Sequence, residues 1–117
     1  CERAIRLNPY KTMLDLGIQL AAGSDSPVTA IDPIAGIAAL VHHSNAEERL
    51  SLNSALALFI SEPHKFSGES LLRGQLKTGY HADFVCLSED PFKIAPSRLA
   101  NLQVKKLFIA GCCVYSN

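Results

Sequence analysis

The chain has 117 residues, of which 48% are hydrophobic and 19% are charged, as is typical of one ordinary globular domain rather than a disordered or fibrous chain. Its 11 Lys and Arg residues balance 11 Asp and Glu residues, so no net field attracts nucleic acid. No apolar run approaches the roughly 20 residues that span a bilayer. We therefore expect neither nucleic acid nor a membrane as a partner, and a cytoplasmic location.

The first part of the sequence predicts a helix, a tight turn and a strand. Asn8 and Pro9 are typical of a helix start, with Asn8 as the cap, and Gly17 is typical of a helix end. The apolar run at residues 18–22 then predicts a strand covered on both faces, as in a parallel α/β sheet. The small-residue turn after this strand carries Asp25. Because such folds place their chemistry at the carboxyl ends of strands, Asp25 is the leading functional candidate.

Two further helix starts follow. Asp32, which precedes Pro33, and Ser51 can each accept hydrogen bonds from the free amides of a first helical turn. Apolar residues at helical spacing follow each of these two start signals. Pro63 ends the second of these helices or begins a short one through Phe66.

The period changes in the last third of the chain. Residues 82–87 predict a strand, and residues 104–109 and 112–115 predict a hairpin around an Ala-Gly turn. Composition therefore shifts from α/β to β-rich near residue 70.

The four cysteines fit neither a Cys-x-x-Cys pair nor a zinc-finger spacing. Adjacent strand residues point to opposite faces, so Cys112 and Cys113 would not converge on one metal. We expect Cys86, Cys112 and Cys113 to act as small apolar strand residues in a reduced, intracellular protein.

Two interpretations of Asp25 remain open on the sequence. A carboxylate at the end of a strand can ligate a divalent metal or accept a proton from a metal-bound water. It can also cap the turn before Pro27 through local hydrogen bonds. His42 and His43 are neighbours, and side chains one residue apart on a helix diverge by about 100°, so we do not expect them to hold one ion together.

Several short motifs resemble the C-terminal end of the amidohydrolase superfamily, specifically its amidohydrolase-3 branch of metal-dependent hydrolases. They follow one another in the order found in that family and are spread over about 105 of the 117 residues. They lie at residues 14–17, 22–28, 32–37, 48–52, 74–79, 82–87, 90–91 and 111–115.

The resemblance implies a fold class of α/β plus β. Residues 1–70 would be the last strand and helices of a (β/α)8 TIM barrel, and residues 71–117 would be strands of a small composite β-sandwich. Residues 18–22 would be barrel strand eight.

The resemblance also implies a role for Asp25 as the strand-eight aspartate, both a metal ligand and the catalytic acceptor of the proton from the hydrolytic water. The family's other metal ligands belong to N-terminal segments absent from this sequence. We therefore expect zinc or a similar divalent metal in a longer parent protein, and no tightly bound metal in this fragment, because a catalytic zinc needs about three protein ligands.

Two functions from different classes follow. The first is the C-terminal fragment of an amidohydrolase that hydrolyses C–N amide-type bonds of a small molecule and is inactive alone. The alternative is a non-catalytic regulatory or partner-binding module, similar to relatives described as exoenzyme regulatory proteins. In either case exposed edges predict a possible homo-oligomer.

Overall fold

A computed structural model of the chain describes residues 7–117, in which helices precede a three-stranded sheet. The helices are α1 (Tyr10–Asp15), α2 (Pro33–Val41), α3 (Leu52–Ile60) and α4 (Glu62–Phe66). The strands are β1 (Phe84–Leu87), β2 (Val104–Ile109) and β3 (Cys112–Ser116), and short 3-10 turns occur at Ala46–Glu48 and Pro96–Asn101. None of the helices in this described range is long and apolar enough to cross a membrane.

The local start signals of α2 and α3 are confirmed. The Asp32 side chain accepts from the Ala35 amide at 3.0 Å. Ser51 Oγ accepts in the same way from the Ser54 amide at 3.1 Å. The short helix α4 also forms, with Pro63 in its first turn. Helices α2 and α3 begin at these residues because a side-chain oxygen satisfies amides that have no partner within the helix, whereas α4 has no side-chain cap.

Helix α1 confirms its predicted end but not its predicted cap. Gly17 adopts a φ of +76°, and the Ile18 amide reaches back to the Met13 carbonyl at 3.0 Å, which closes the last turn. At the other end the capping position is Pro9, and it makes no side-chain cap hydrogen bond. The expectation that Asn8 caps α1 is therefore wrong. The helix begins at Tyr10, so its capping position is Pro9 and Asn8 lies one residue before it.

The strand predicted at residues 18–22 is also wrong for the described chain. These residues form no regular secondary structure and join no ladder, and Ile18 is 44% exposed rather than covered on both faces. Only alternate side chains, Leu20 and Ala22, pack against the helices. A strand needs a neighbouring strand to take up its amides and carbonyls, and residues 7–117 place none beside this segment.

The predicted C-terminal strands are confirmed as an antiparallel sheet of order β1-β2-β3. The hairpin turn at Ala110 and Gly111 has φ values of +50° and +77°, the left-handed pair that suits a two-residue loop. Phe84 stacks on Phe108 across β1 and β2, with ring centroids 4.4 Å apart. Asp83 accepts from the Ala110 amide at 2.7 Å, and this bond ties the hairpin turn to the start of β1.

The cysteines in this sheet lie on strands, as expected. Cys86, Cys112 and Cys113 are free thiols, but all three are exposed rather than buried as small apolar residues usually are.

Two small apolar clusters meet at α2. One centres on Leu50, Ala55 and Leu58, and the other on Ala38, Leu99 and Leu102. The second cluster joins residues on both sides of the predicted boundary near residue 70. The division into residues 1–70 and 71–117 remains a prediction.

Helices α2 and α3 approach closely at a glycine. A Cβ atom placed on Gly36 would lie 2.5 Å from Cζ of the Phe59 ring. The contact therefore depends on the missing side chain at residue 36.

Candidate functional site

Asp25 lies exposed on the loop that follows residues 18–22, three residues after Ala22, the last residue of that segment to pack against the helices. The anchor of that loop is Ala22, whose amide donates to the Leu58 carbonyl of α3 at 2.9 Å. Asp25 itself has a φ of +56°, a left-handed conformation that Asp and Asn tolerate better than other residues with a Cβ atom.

The turn at Asp25 uses the backbone and leaves the carboxylate unused. The Val28 amide donates to the Asp25 carbonyl at 2.9 Å across a cis Ser26–Pro27 peptide, and the Thr29 hydroxyl donates to the Ser24 carbonyl. Within residues 7–117 the Asp25 carboxylate makes no hydrogen bond or ion pair. The interpretation of Asp25 as a turn cap thus lacks its hydrogen bond, and the carboxylate is available to a ligand.

A cleft of about 390 Å³ opens beside this loop. Gly23 lines it from the loop before Asp25, Tyr10 from α1, and Gly36 with Phe59 from the contact of α2 and α3. His43 also lines the cleft, and its ring meets Tyr10 edge to face with centroids 6.0 Å apart.

The paired histidines turn apart, as their spacing predicts. His42 Nε2 lies 2.8 Å from the Pro96 carbonyl oxygen, whereas His43 Nδ1 lies 3.1 Å from the Asn45 amide. Both rings have partners within the fold, so they do not act together as ligands.

The residues present do not make a metal site by themselves. Among residues 7–117 no group of three or more His, Cys, Asp or Glu side chains converges so that it could hold an ion. A catalytic zinc takes about three protein ligands, and Asp25 by itself would offer one carboxylate. This part of the chain therefore does not fit a complete metal centre.

The residue that sequence reasoning missed is Glu48. Its side chain is buried, with the residue only 7% exposed, and it reaches α1 from 36 residues away. One carboxylate oxygen accepts from the Thr12 amide at 2.9 Å and the other from the Thr12 hydroxyl. These bonds hold the pKa of Glu48 below its ordinary value, first through the Thr12 hydroxyl and then through the Thr12 amide. The one sequence feature that points to a distant acceptor such as Glu48 is Pro9, which has no side-chain oxygen to accept from the first amides of α1.

Comparison with known proteins settles the family. The model of the amidohydrolase family, Amidohydro_3, matches residues 1–115. The chain belongs to this family. The resemblance that the short motifs suggested is thereby confirmed.

Individual relatives of this amidohydrolase chain agree. The chain is 37% identical to amidohydrolase YtcJ of Bacillus subtilis strain 168 over 116 residues, which cover 91% of this chain and 22% of the relative. It is 26% identical to N-substituted formamide deformylase of Arthrobacter pascens over 118 residues, which cover 95% of this chain and 22% of that protein.

A solved structure shares the fold. The crystal structure of an amidohydrolase from Thermotoga maritima MSB8 superposes with a TM-score of 0.70 at 24% identity, over 90% of this chain and 25% of that one. The chain thus spans about a quarter or less of the length of the proteins it matches.

Proposed function

We propose that this chain forms the C-terminal part of a hydrolase that cleaves carbon–nitrogen bonds of the amide type in a small molecule. The family match over residues 1–115 carries the proposal. The name of one relative, N-substituted formamide deformylase, supports the bond class, since a formamide is cleaved between its carbonyl carbon and its nitrogen.

In this proposal Asp25 is the catalytic residue that the chain contributes. Water attacks the amide carbonyl carbon, the Asp25 carboxylate accepts the proton that water releases, and the proton passes to the amine as the C–N bond breaks. The exposed position of Asp25 and the absence of a local partner for its carboxylate within residues 7–117 support this role.

The finer fold that we propose is the one implied by the family. Residues 1–70 provide the last strand and helices of a (β/α)8 barrel, and residues 71–117 provide strands of a composite β-sandwich. Residues 18–22 support this, because they pack through Leu20 and Ala22 but pair with no strand among the described residues, and a barrel strand needs neighbours on both edges.

The metal belongs to the same proposal. Zinc or a similar divalent ion, when bound, polarises the carbonyl and lowers the pKa of water. Asp25 is one donor to it, and further donors lie outside the described residues. We propose that residues 1–117 alone bind no zinc tightly and turn over no substrate. We also propose a cytoplasmic location, which the free thiols of Cys86, Cys112 and Cys113 support.

The test compares Asp25→Asn with Asp15→Asn in the polypeptide at its natural length, assayed on N-formyl and N-acyl amines. We expect Asp25→Asn to lower kcat by about 10²-fold or more, since a general base contributes about that much. Asp15 forms an exposed i,i+4 pair with Lys11, so its substitution removes the same charge and should leave turnover within about twofold.

Metal analysis of the same samples, beside residues 1–117 alone, checks the second part of the proposal. About one or two zinc ions in the natural-length protein and less than one in residues 1–117 are expected. Unchanged turnover in Asp25→Asn would remove the role of Asp25. A wild-type protein that hydrolyses none of these amides but binds a protein partner would favour the regulatory module.

A further inference from the structure

We infer that Glu48 is a positioning residue for the Asp25 loop. Its carboxylate fixes the start of α1, and α1 in turn fixes the segment that leads to Asp25. The inference rests on the proposed function only for the reaction that Asp25 serves, because the contacts stand without it.

Glu48 projects from a braced loop between α2 and α3. The loop makes a single 3-10 turn that Asn45 caps, with its side-chain oxygen 3.1 Å from the Glu47 amide. The next buried residue, Leu50, donates its amide to the Leu40 carbonyl of α2 at 3.1 Å. Glu48 thus lies between a capped turn on one side and a bond to α2 on the other, and these contacts hold the backbone from which its carboxylate projects.

The helix that Glu48 holds packs through Tyr10 and Leu14 on the Leu50 cluster but has no side-chain cap of its own. Helix α1 has six residues, none of them fully buried, and Pro9 cannot cap it. Isolated helices of this length are not stable in water. The bonds from the Thr12 amide and hydroxyl to Glu48 take the place of a local cap, and a charged acceptor makes them about twice as strong as neutral ones.

The position of α1 is passed on along the chain. The Ile18 amide donates to the Met13 carbonyl, so the first residue of segment 18–22 is bonded to the end of α1. The segment ends at Ala22, which bonds to the Leu58 carbonyl three residues before Asp25. Within the described residues, the backbone of this segment is therefore bonded once to α1 and once to α3. Glu48 acts on the first of these attachments because it holds α1 in place.

The first test is hydrogen exchange measured by mass spectrometry on the natural-length protein. Glu48→Gln keeps the shape of the side chain and removes its charge, and we expect amides of residues 10–25 to exchange about threefold faster, as for the loss of a helix cap. The matched control is Glu47→Gln, since Glu47 is the exposed neighbour with the same charge. Equal exchange in the two variants overturns the inference.

A second pair of variants guards against a Glu48 variant that fails to fold. Thr12→Ala removes the hydroxyl donor and should speed exchange over the same residues, whereas Thr12→Ser keeps the hydroxyl and should restore it. Failure of Thr12→Ser to restore protection counts against the inference.

Kinetics separate positioning from plain structural support. If Asp25 acts as proposed, Glu48→Gln lowers kcat by about tenfold while KM stays within about twofold, because a displaced proton acceptor weakens the transition state rather than substrate binding. Faster exchange with unchanged kcat overturns the positioning role. If the wild-type protein hydrolyses no amide, the proposed function fails, and exchange alone decides whether Glu48 orders this loop.

Discussion

At the scale of single residues, Glu48 shows how a buried carboxylate is kept charged. Burial acts against the charge, but the Thr12 hydroxyl and amide outweigh it, and His43 adds a smaller favourable interaction. The other charged group that faces it is Lys11, which belongs to α1 and pairs with Asp15. The ionised form of Glu48 is therefore the form that the fold prefers.

This preference makes stability depend on pH. The pKa of Glu48 is lower in the folded chain than its ordinary value of 4.5, so its contribution is complete above that value and is lost as pH falls through the folded pKa. We expect the melting temperature of the wild type to exceed that of Glu48→Gln at pH 7 and the difference to shrink as the pH falls below 4.5. Melting curves followed by circular dichroism at several pH values check this.

The control is again Glu47→Gln, whose difference from the wild type should change little over this range. A gap between the wild type and Glu48→Gln that is constant from pH 7 to pH 3 would contradict the assigned cause.

At the scale of elements, the parts that the sequence predicts well are those whose signals are local. Asp32, Ser51 and Gly17 each satisfy a helix end within a few residues, and the helix bounds follow from them. The cap of α1 was missed because its acceptor lies 36 residues away. The strand predicted at residues 18–22 does not form within the described residues, because an apolar run indicates only a tendency and a ladder needs a neighbouring strand.

The hairpin between β2 and β3 offers an element-scale prediction. Ala110 holds a left-handed φ of +50°, which costs an alanine roughly 1 kcal/mol and suits asparagine better. We expect Ala110→Asn to raise the free energy of unfolding by about 0.5–1 kcal/mol in urea denaturation.

Gly111→Ala is the opposite control. A Cβ atom there would lie 3.8 Å from the Cβ of Ala82, so space is sufficient, and the expected loss of about 1 kcal/mol comes from φ alone. A destabilised Ala110→Asn would show that the turn does not govern the stability of the hairpin.

At the scale of the whole molecule, the chain is larger than a self-contained domain of its length. Its radius of gyration is 15.3 Å, against about 13 Å expected for a compact domain of this size. Large apolar side chains remain exposed, among them Val28 at 79% and Leu71 at 79%. The family and the local helix signals were predictable from the sequence. The surroundings of Asp25 were not, since the described residues bring no two further carboxylate, histidine or cysteine side chains to it and the contacts that hold its loop are long-range.

The apolar cluster of Ala38, Leu99 and Leu102 allows a test of whether residues 1–70 and 71–117 are independent units. Leu99 is 3% exposed and packs with Ala38 of α2, across the predicted boundary near residue 70. We expect Leu99→Ala to lower the free energy of unfolding by about 2–5 kcal/mol and to speed hydrogen exchange in α2 as well as in its own segment.

Leu76→Ala serves as the matched control, because Leu76 is 76% exposed and its truncation should cost less than about 0.5 kcal/mol. Exchange that rises only within residues 71–117 would mean that the two predicted units are independent after all.

The contact of Gly36 with Phe59 has a consequence for ligand access. Both residues also line the cleft beside Gly23. The Phe59 ring occupies the space that a side chain at residue 36 would take, so the glycine determines the position of the ring in the cleft wall. A single methyl group there would displace the ring and reshape the entrance without touching Asp25. The aperture next to the loop is thus governed by the spacing between two helices.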